Sequence, residues 1–538
     1  MAASSRVRTR RTVRPFRMRT AFSAGALAAV SLALLTAPPA DAGGMDGPGT
    51  RVPEALSGWD RQRIAPGADL YSGLLRDGGS ARWTVTVSRD GAQILSAGQA
   101  RDTSRGLREA GFTPRTELVD WPRGSADRHG TLGMRVRVGS HASKEEADEQ
   151  RAELGEAGFA AAAEWTGGDG AGRGGRTRVN AAVIDPRRFR GSLGSDDGGA
   201  VSGREKLTAL SSRAGALLGV NAGFFVMEDE DGVPGAAAGV AAQDGRLRSA
   251  ATNGRIAAVL RGDGLRPELH RLRTELSVGA EDARGDGAVR TVDGVNRRPG
   301  LIRNCGGVGG DRPTELPRHD VTCTDAHELV LFTAQLGTST PAGKGVEAVL
   351  DRTGRVLELR ARGGKVPAGG EVLAGTGAGA RWLRAHATPG TALKVRERIL
   401  DEDGRRVRLG DGDDIVNGGP GLVRDGRVSV DFGADGIDRP GEPSAAYAWG
   451  LQRNPRTALG VDRRGRILLV TAEGRQPGYS DGLSVTETAR LMASLGAVQA
   501  MNLDGGGSTG MTLDGALITR PSDPAGERAI GDALLLER

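Results

Sequence analysis

The sequence predicts an α+β chain: a small module of order β-α-β-β-α-β, then a large domain built on mixed sheets. Three observations carry this reading. Residues 83–165 run twice through a strand, a glycine-stopped helix and a further strand. Six glycines then fall within the nine residues 167–175. From residue 178 onward, short apolar strands and glycine turns outnumber helices.

The first 42 residues stand apart. Seven arginines lie between Arg6 and Arg19, an uncharged apolar stretch follows to Ala37, and Ala40-Asp41-Ala42 is a small-x-small cleavage site. This predicts a secretory signal peptide over 1–42, cut after Ala42. Arg10-Arg11 is a poor twin-arginine match, which favours Sec export over Tat. No later run is apolar enough to span a bilayer, so no integral membrane segment is expected after cleavage. The leader holds seven arginines and one acid and so accounts for the whole formal charge of +6. The remainder is formally neutral, which excludes a basic nucleic-acid binder. The expected location is secreted or attached to the cell wall.

Residues 43–81 read as a linker rich in Gly, Pro and Asp. In 82–166, residues 83–87 alternate like a strand and 99–110 read as a helix stopped by Gly111. Residues 117–121 and 134–138 are strands. Ser143 caps a helix running to 156 with Glu146 as its capping-box partner, and 160–165 is extended. This is the split, ferredoxin-like order. The stretch RVRVGSHASKEEADEQRAELGEAGFAA resembles a SPOR domain, which implies peptidoglycan as a partner. The module departs from that family in having few aromatic residues for its sheet face.

Residues 167–177 read as a flexible glycine linker, and 178–538 as one large domain. Strands are expected at 179–184, 329–335, 345–350, 466–471 and 497–503. Helices are expected at 203–210, 377–383 and 485–495. The last carries a capping box, Ser484 to Glu487, and a glycine stop at Gly496. Aromatics are 3% of the chain, so Val, Leu, Ile and Ala must build the cores. The two cysteines, Cys305 and Cys323, predict one disulfide in an exported protein. A zinc site from Cys305, His319, Cys323 and His327 has no familiar spacing.

Gly506-Gly507-Ser508-Thr509-Gly510 fits the G-x-S-x-G nucleophile elbow. That reading fails because strand-turn-strand follows the serine where a helix is needed, and no histidine lies beyond it. What remains is a set of Asn, Asp, Glu and Arg residues in glycine-rich blocks. Carboxylates suit glycoside acid–base chemistry, and arginines hold phosphodiesters by paired hydrogen bonds. The blocks VNAGFF, NGGPGLVRDG, RNPRTALGVD, EGRQPGYSDGLSVTETARLM and NLDGGGSTGM, in this order over 178–538, resemble the phosphodiester glycosidase family.

The resemblance implies a hydrolase acting on a sugar-1-phosphodiester, with a carbohydrate phosphodiester as substrate. It implies Asp504 and Glu473 as catalytic carboxylates. Arg456 and Arg475 would clamp the phosphate, and Asn221, Asp481, Asn502 and Ser508 would bind substrate. Ala222 departs from the family, where many members have glycine. No cofactor is expected, with a divalent cation such as calcium left open. The acidic run Glu228 to Asp231 reads as a solvated loop, and Asp411 to Asp414 lacks the EF-hand spacing. Two alternatives stand beside this reading: a non-catalytic wall-binding or sporulation-associated protein, and an ordinary exo- or endo-glycosidase.

Overall fold

The computed structural model describes residues 54–538 apart from 171, 253, 281–288, 304–311, 314–321 and 439–440. The expected leader at 1–42, the first part of the linker, Cys305 and His319 lie outside the described residues. Cys323 is buried against Ile302.

Residues 60–76 correct the linker expected at 43–81. Asp60–Ala65 (β1) and Ala68–Arg76 (β2) form an antiparallel hairpin. Ala68 and Leu70 are buried in one apolar core and Tyr71 in another, so alternate residues of β2 serve opposite faces. A strand used on both faces lacks the simple in–out alternation that marks a surface strand.

The small module has Trp83–Val87 (β3), Ala97–Glu109 (α1), Pro114–Asp120 (β4), Thr131–His141 (β5), Lys144–Glu156 (α2) and Ala161–Trp165 (β6). The sheet order is β4-β5-β3-β6, antiparallel throughout. Val85, Val87, Val136 and Val138 form the apolar face under Leu107 of α1 and Leu154 of α2. Ser96 and Gln99 close a complete capping box on α1. At α2, Ser143 accepts from the Glu146 amide, but the Glu146 carboxylate accepts from Ala142 instead of Ser143.

The opposite face of this sheet carries Thr84, Thr86, Arg135 and Arg137, all buried. Asp169 bonds both arginines, at 2.8 Å to Arg135 and 2.9 Å to Arg137. Asp169 belongs to the 3₁₀ turn Thr166–Asp169, so this part of the expected flexible linker is a fixed turn. Its glycines fit because the chain must pass close under the sheet: a Cβ on Gly167 would lie 2.4 Å from Trp165 Nε1.

The large sheet begins with Arg176–Ile184 (β7), which pairs with β2 along its whole length. Its other main strands are Gly421–Arg424 (β9), Arg456–Asp462 (β10), Ile467–Ala472 (β11) and Ala497–Asn502 (β12). Leu218–Asn221 (β8) belongs to a second sheet. The large sheet runs β1-β2-β7-β11-β10-β12-β9 and ends on Arg427–Val428. Val485–Ser494 (α3) covers one face, packing Val485, Ala489 and Met492 on Leu468, Val470 and Ala500. The other face sets Leu469 and Met501 against Val220 of β8 and Leu534 of Ala533–Glu537. Burial on both faces explains why β7, β11 and β12 read as short apolar runs. Residues 240–415 build further sheets around a separate apolar core.

The helix expected at 203–210 is displaced to Leu207–Ala214, because Glu205–Lys206 is a short strand paired with Ala529–Ile530. The helix Gly377–His386 and α3 begin where the sequence places them.

Candidate functional site

The glycine-rich turn at 503–510 carries the chain from β12 of the large sheet to Met511–Leu513 of the second sheet. It is fixed on both sides. The Asp504 amide donates to Ala222 O at 2.9 Å, and the Gly506 amide donates to Pro455 O at 3.0 Å. Gly506 has φ +59°, in the left-handed region that favours glycine. Gly507 lets Asp523 and Arg528 come close, since a Cβ there would sit 2.3 Å from each.

Several expected site residues meet at this end of the sheet. Glu473 follows β11, Arg456 opens β10 and Asp504 follows β12. Since β10 lies between β11 and β12, the two acids start from alternate strands, roughly 9–10 Å apart along the sheet. Asp504 is half-buried, and its carboxylate accepts from the Gly505 amide at 2.8 Å.

Glu473 is buried, and its Oε2 has no hydrogen-bond partner among the described residues. Burial pushes its carboxyl up. The Tyr479 hydroxyl, the Arg520 amide and the guanidiniums of Arg178 and Arg520 oppose that shift without cancelling it. Tyr479 lies between those two guanidiniums, at 4.5 and 4.7 Å from its ring centre.

Arg456 is buried and held by carbonyl oxygens alone. Its Nε donates to Leu483 O at 3.0 Å, and Nη2 donates to Trp449 O. The Trp449 ring lies against it at 5.1 Å and packs on Phe224 at 6.0 Å. Burial, and then the charge of Arg475, hold the Arg456 guanidinium below its usual value. An arginine keeps its proton in a protein, so this marks an uncompensated cation.

Arg475 adopts φ +58°, an uncommon backbone for a side chain of this size, and such residues cluster at functional sites. Its Nε donates to Asn454 Oδ1 at 2.9 Å, and its terminal nitrogens lie over Gly506. Desolvation and the neighbouring Arg528 lower its pKa, against pulls from Asp523 and Asp504. Among the described residues, neither Arg456 nor Arg475 forms an ion pair with a carboxylate.

The turn also presents unpartnered polar atoms. Among the described residues, Ser508 Oγ and Thr509 Oγ1 of the turn and Asn502 Oδ1 at the end of β12 are buried without a hydrogen-bond partner. Buried polar atoms are normally paired, so a concentration of unpaired ones at one turn fits a ligand or ordered water.

Two expected substrate-binding residues make internal hydrogen bonds. Asn221 is fully buried and its amide is spent internally. It donates to Asp504 O at 2.7 Å and accepts from Thr457 Oγ1 at 2.6 Å and from the Gly510 amide at 3.1 Å. It ties β8, β10 and the turn together. Asp481 accepts from Trp165 Nε1 at 2.9 Å and from the Arg176 amide at 2.8 Å. It fastens the small module to β7. Asn502 is divided: its nitrogen donates to Gly419 O at 3.1 Å and to Leu503 O, leaving only Oδ1 free.

Asp532, absent from the sequence-derived set, lies beside Asp504. Its carboxylate accepts from the Gly223 amide at 2.7 Å, and its carbonyl accepts from Ala222, whose own carbonyl holds Asp504. Burial, together with the charges of Asp197 and Asp504, pushes it up to about 7, despite the Gly223 hydrogen bond. The signal was legible: Gly531-Asp532 stands at a turn before an apolar strand, as Asp504 stands at a turn after one.

Residues 344–537 match the family model described as phosphodiester glycosidase. The chain is 30% identical over 142 residues to N-acetylglucosamine-1-phosphodiester alpha-N-acetylglucosaminidase of Homo sapiens, covering 26% of each protein. It thus spans about a quarter of the length of the curated relatives it matches. A crystal structure of a Burkholderia pseudomallei protein described as exported superposes with a TM-score of 0.77 at 32% identity. That match covers 92% of this chain and 100% of the other. A Synechocystis structure at 19% identity and TM-score 0.53, covering 89% of this chain and 76% of its own, shares the fold alone. The family that the C-terminal part of this chain matches, over residues 344–537, is therefore phosphodiester glycosidase.

Proposed function

We propose that the protein is an exported hydrolase that cleaves a sugar-1-phosphodiester, releasing the sugar and a phosphomonoester. One observation carries the reading. The charge of Arg475 reaches the buried Arg456, neither arginine has a carboxylate partner among the described residues, and the terminal nitrogens of Arg475 lie over a turn with unpartnered hydroxyls. A phosphodiester anion is the ligand that satisfies two such guanidiniums together.

In this reading Arg456 and Arg475 hold the phosphate, Ser508 and Thr509 donate to phosphate or sugar oxygens, and Asn502 Oδ1 accepts from a sugar hydroxyl. Glu473 and Asp504 provide acid–base chemistry at the anomeric carbon, where water replaces the phosphate. Burial raises Glu473, which suits the proton donor of the pair. Export rests on the leader at 1–42, and the Cys305–Cys323 bridge belongs to the same proposal. A cell-wall or extracellular glycopolymer is the substrate class that suits an exported enzyme.

Association with peptidoglycan through the small module is part of the proposal, with one restriction. The polar sheet face is buried, so glycan must be met by the α1 and α2 side or by the sheet edges.

The test is hydrolysis of a GlcNAc-phosphodiester by the full chain, with sugar and phosphomonoester measured separately. Release of both in equal amounts is expected. Cleavage of a phosphate-free p-nitrophenyl glycoside with no action on the diester overturns the proposal.

A further inference from the structure

We propose that the small N-terminal module is a brace that positions the two site arginines, acting through residues 432–434 and 444–452. The inference rests on Arg456 and Arg475 being the phosphate clamp.

The module grips this segment at three points. Asp127 accepts from the backbone amides of Phe432, Gly433 and Ala434, at 2.8, 2.7 and 3.2 Å. Ser444 Oγ accepts from the amides of Gln93 and Ile94, at 3.1 and 3.0 Å. Tyr447 is buried under the module's sheet. Arg135 Nη1 donates to its hydroxyl, which in turn donates to Asp169 Oδ1 at 3.1 Å, and the Arg135 guanidinium lies 4.7 Å from its ring centre.

The other side of the same segment faces the site. Tyr447–Leu451 is a turn of π-helix, a widened form that recurs at functional sites. Its carbonyls, with that of Gln452, hold the arginine supports. Trp449 O accepts from Arg456 Nη2. Ala448 O and Gln452 O accept from Asn454 Nδ2 at 3.0 and 3.2 Å, and Asn454 Oδ1 accepts from Arg475 Nε at 2.9 Å.

Each arginine is therefore fixed by neutral oxygens instead of a carboxylate. Leu483 O, the acceptor of Arg456 Nε, lies elsewhere, but Trp449 O and the oxygens holding Asn454 lie on or beside a turn anchored to the module at Tyr447. A guanidinium held only by backbone carbonyls has no charge partner to restore it when the turn shifts. Small displacements of a clamp are costly to binding and turnover. Tyr447, Arg135, Asp169 and Ser444 are positioning residues in this scheme.

The experiment uses the full chain with Tyr447→Phe and, separately, Ser444→Ala. The readouts are KM and kcat for a GlcNAc-phosphodiester and the affinity for inorganic phosphate by calorimetry. KM and the phosphate Kd are expected to rise together by about 5-fold or more, with kcat less affected. In an Arg456→Met background, Tyr447→Phe is expected to add a smaller loss of phosphate affinity than in the wild type, the part carried through Asn454 and Arg475 remaining. Ser444→Ala carries the test where Tyr447→Phe does not fold. Unchanged KM and phosphate affinity in a folded variant overturn the brace while leaving the proposed reaction standing. So does a loss that persists undiminished beside Arg456→Met. Phosphate binding without diester turnover, weakened by the variants, keeps the brace and removes the reaction. A wild-type chain that shows neither overturns both.

Discussion

Asn221 donates its side-chain amide to the carbonyl oxygen of Asp504 at 2.7 Å, across 283 residues of sequence. The same amide oxygen receives Thr457 and Gly510, so one buried side chain sets the height of the turn against two sheets. Replacing Asn221 by Leu leaves those groups unpaired in the core. Thermal unfolding is expected to show a loss of about 1–3 kcal/mol or more, with diester turnover falling in step. Intact stability with lost substrate affinity would instead place Asn221 in contact with the ligand.

Asp504→Asn and Glu473→Gln are each expected to lower kcat by about 10²–10⁴-fold with the circular dichroism unchanged. The two differ in pH behaviour. Burial raises Glu473, so the wild-type profile should contain an ionisation above the ordinary carboxylate range that disappears in Glu473→Gln. A profile identical in shape for wild type and Glu473→Gln removes Glu473 from the acid–base pair.

Arg456→Lys is expected to weaken inorganic phosphate binding by about 10-fold or more, despite keeping the charge. A lysine lacks the planar fork that engages two oxygens at once. It also cannot reproduce the bonds to both Leu483 O and Trp449 O. Calorimetry on wild type and variant checks this directly.

Asp532 links stability to pH. Its folded value, about 7, lies above its ordinary value of 3.8, so the native state binds the proton more tightly than the unfolded chain does. Its contribution is fully present below about 4 and is lost as pH rises towards 7. Asp532→Asn is expected to flatten the melting temperature over that window and to raise it relative to wild type at pH 8. An unaltered slope would mean that Asp532 is ionised throughout.

Much of the fold was legible because its signals are local. The α3 capping box, Ser484 with Glu487, and the glycine stop at Gly496 belong to one stretch of chain. The apolar runs of β11 and β12 likewise need no distant partner to be read. β2 was hidden because its residues serve two cores, and Asp169 because a glycine-rich run looks flexible until its acid meets Arg135 and Arg137.

The sequence by itself determined the element order of the small module, the glycine turn and the residue types gathered around it. Only the tertiary structure decided which residues remain free to act. Asn221, Asp481, Arg456 and Asp504 look alike as polar residues in glycine-rich blocks. Asn221 and Asp481 are spent on internal bonds, whereas Arg456 is left without a carboxylate and Asp532 is brought beside Asp504. The physical reason is that a polar group's role depends on whether folding satisfies it. That is set by residues hundreds of positions away, where a sequence carries no local trace.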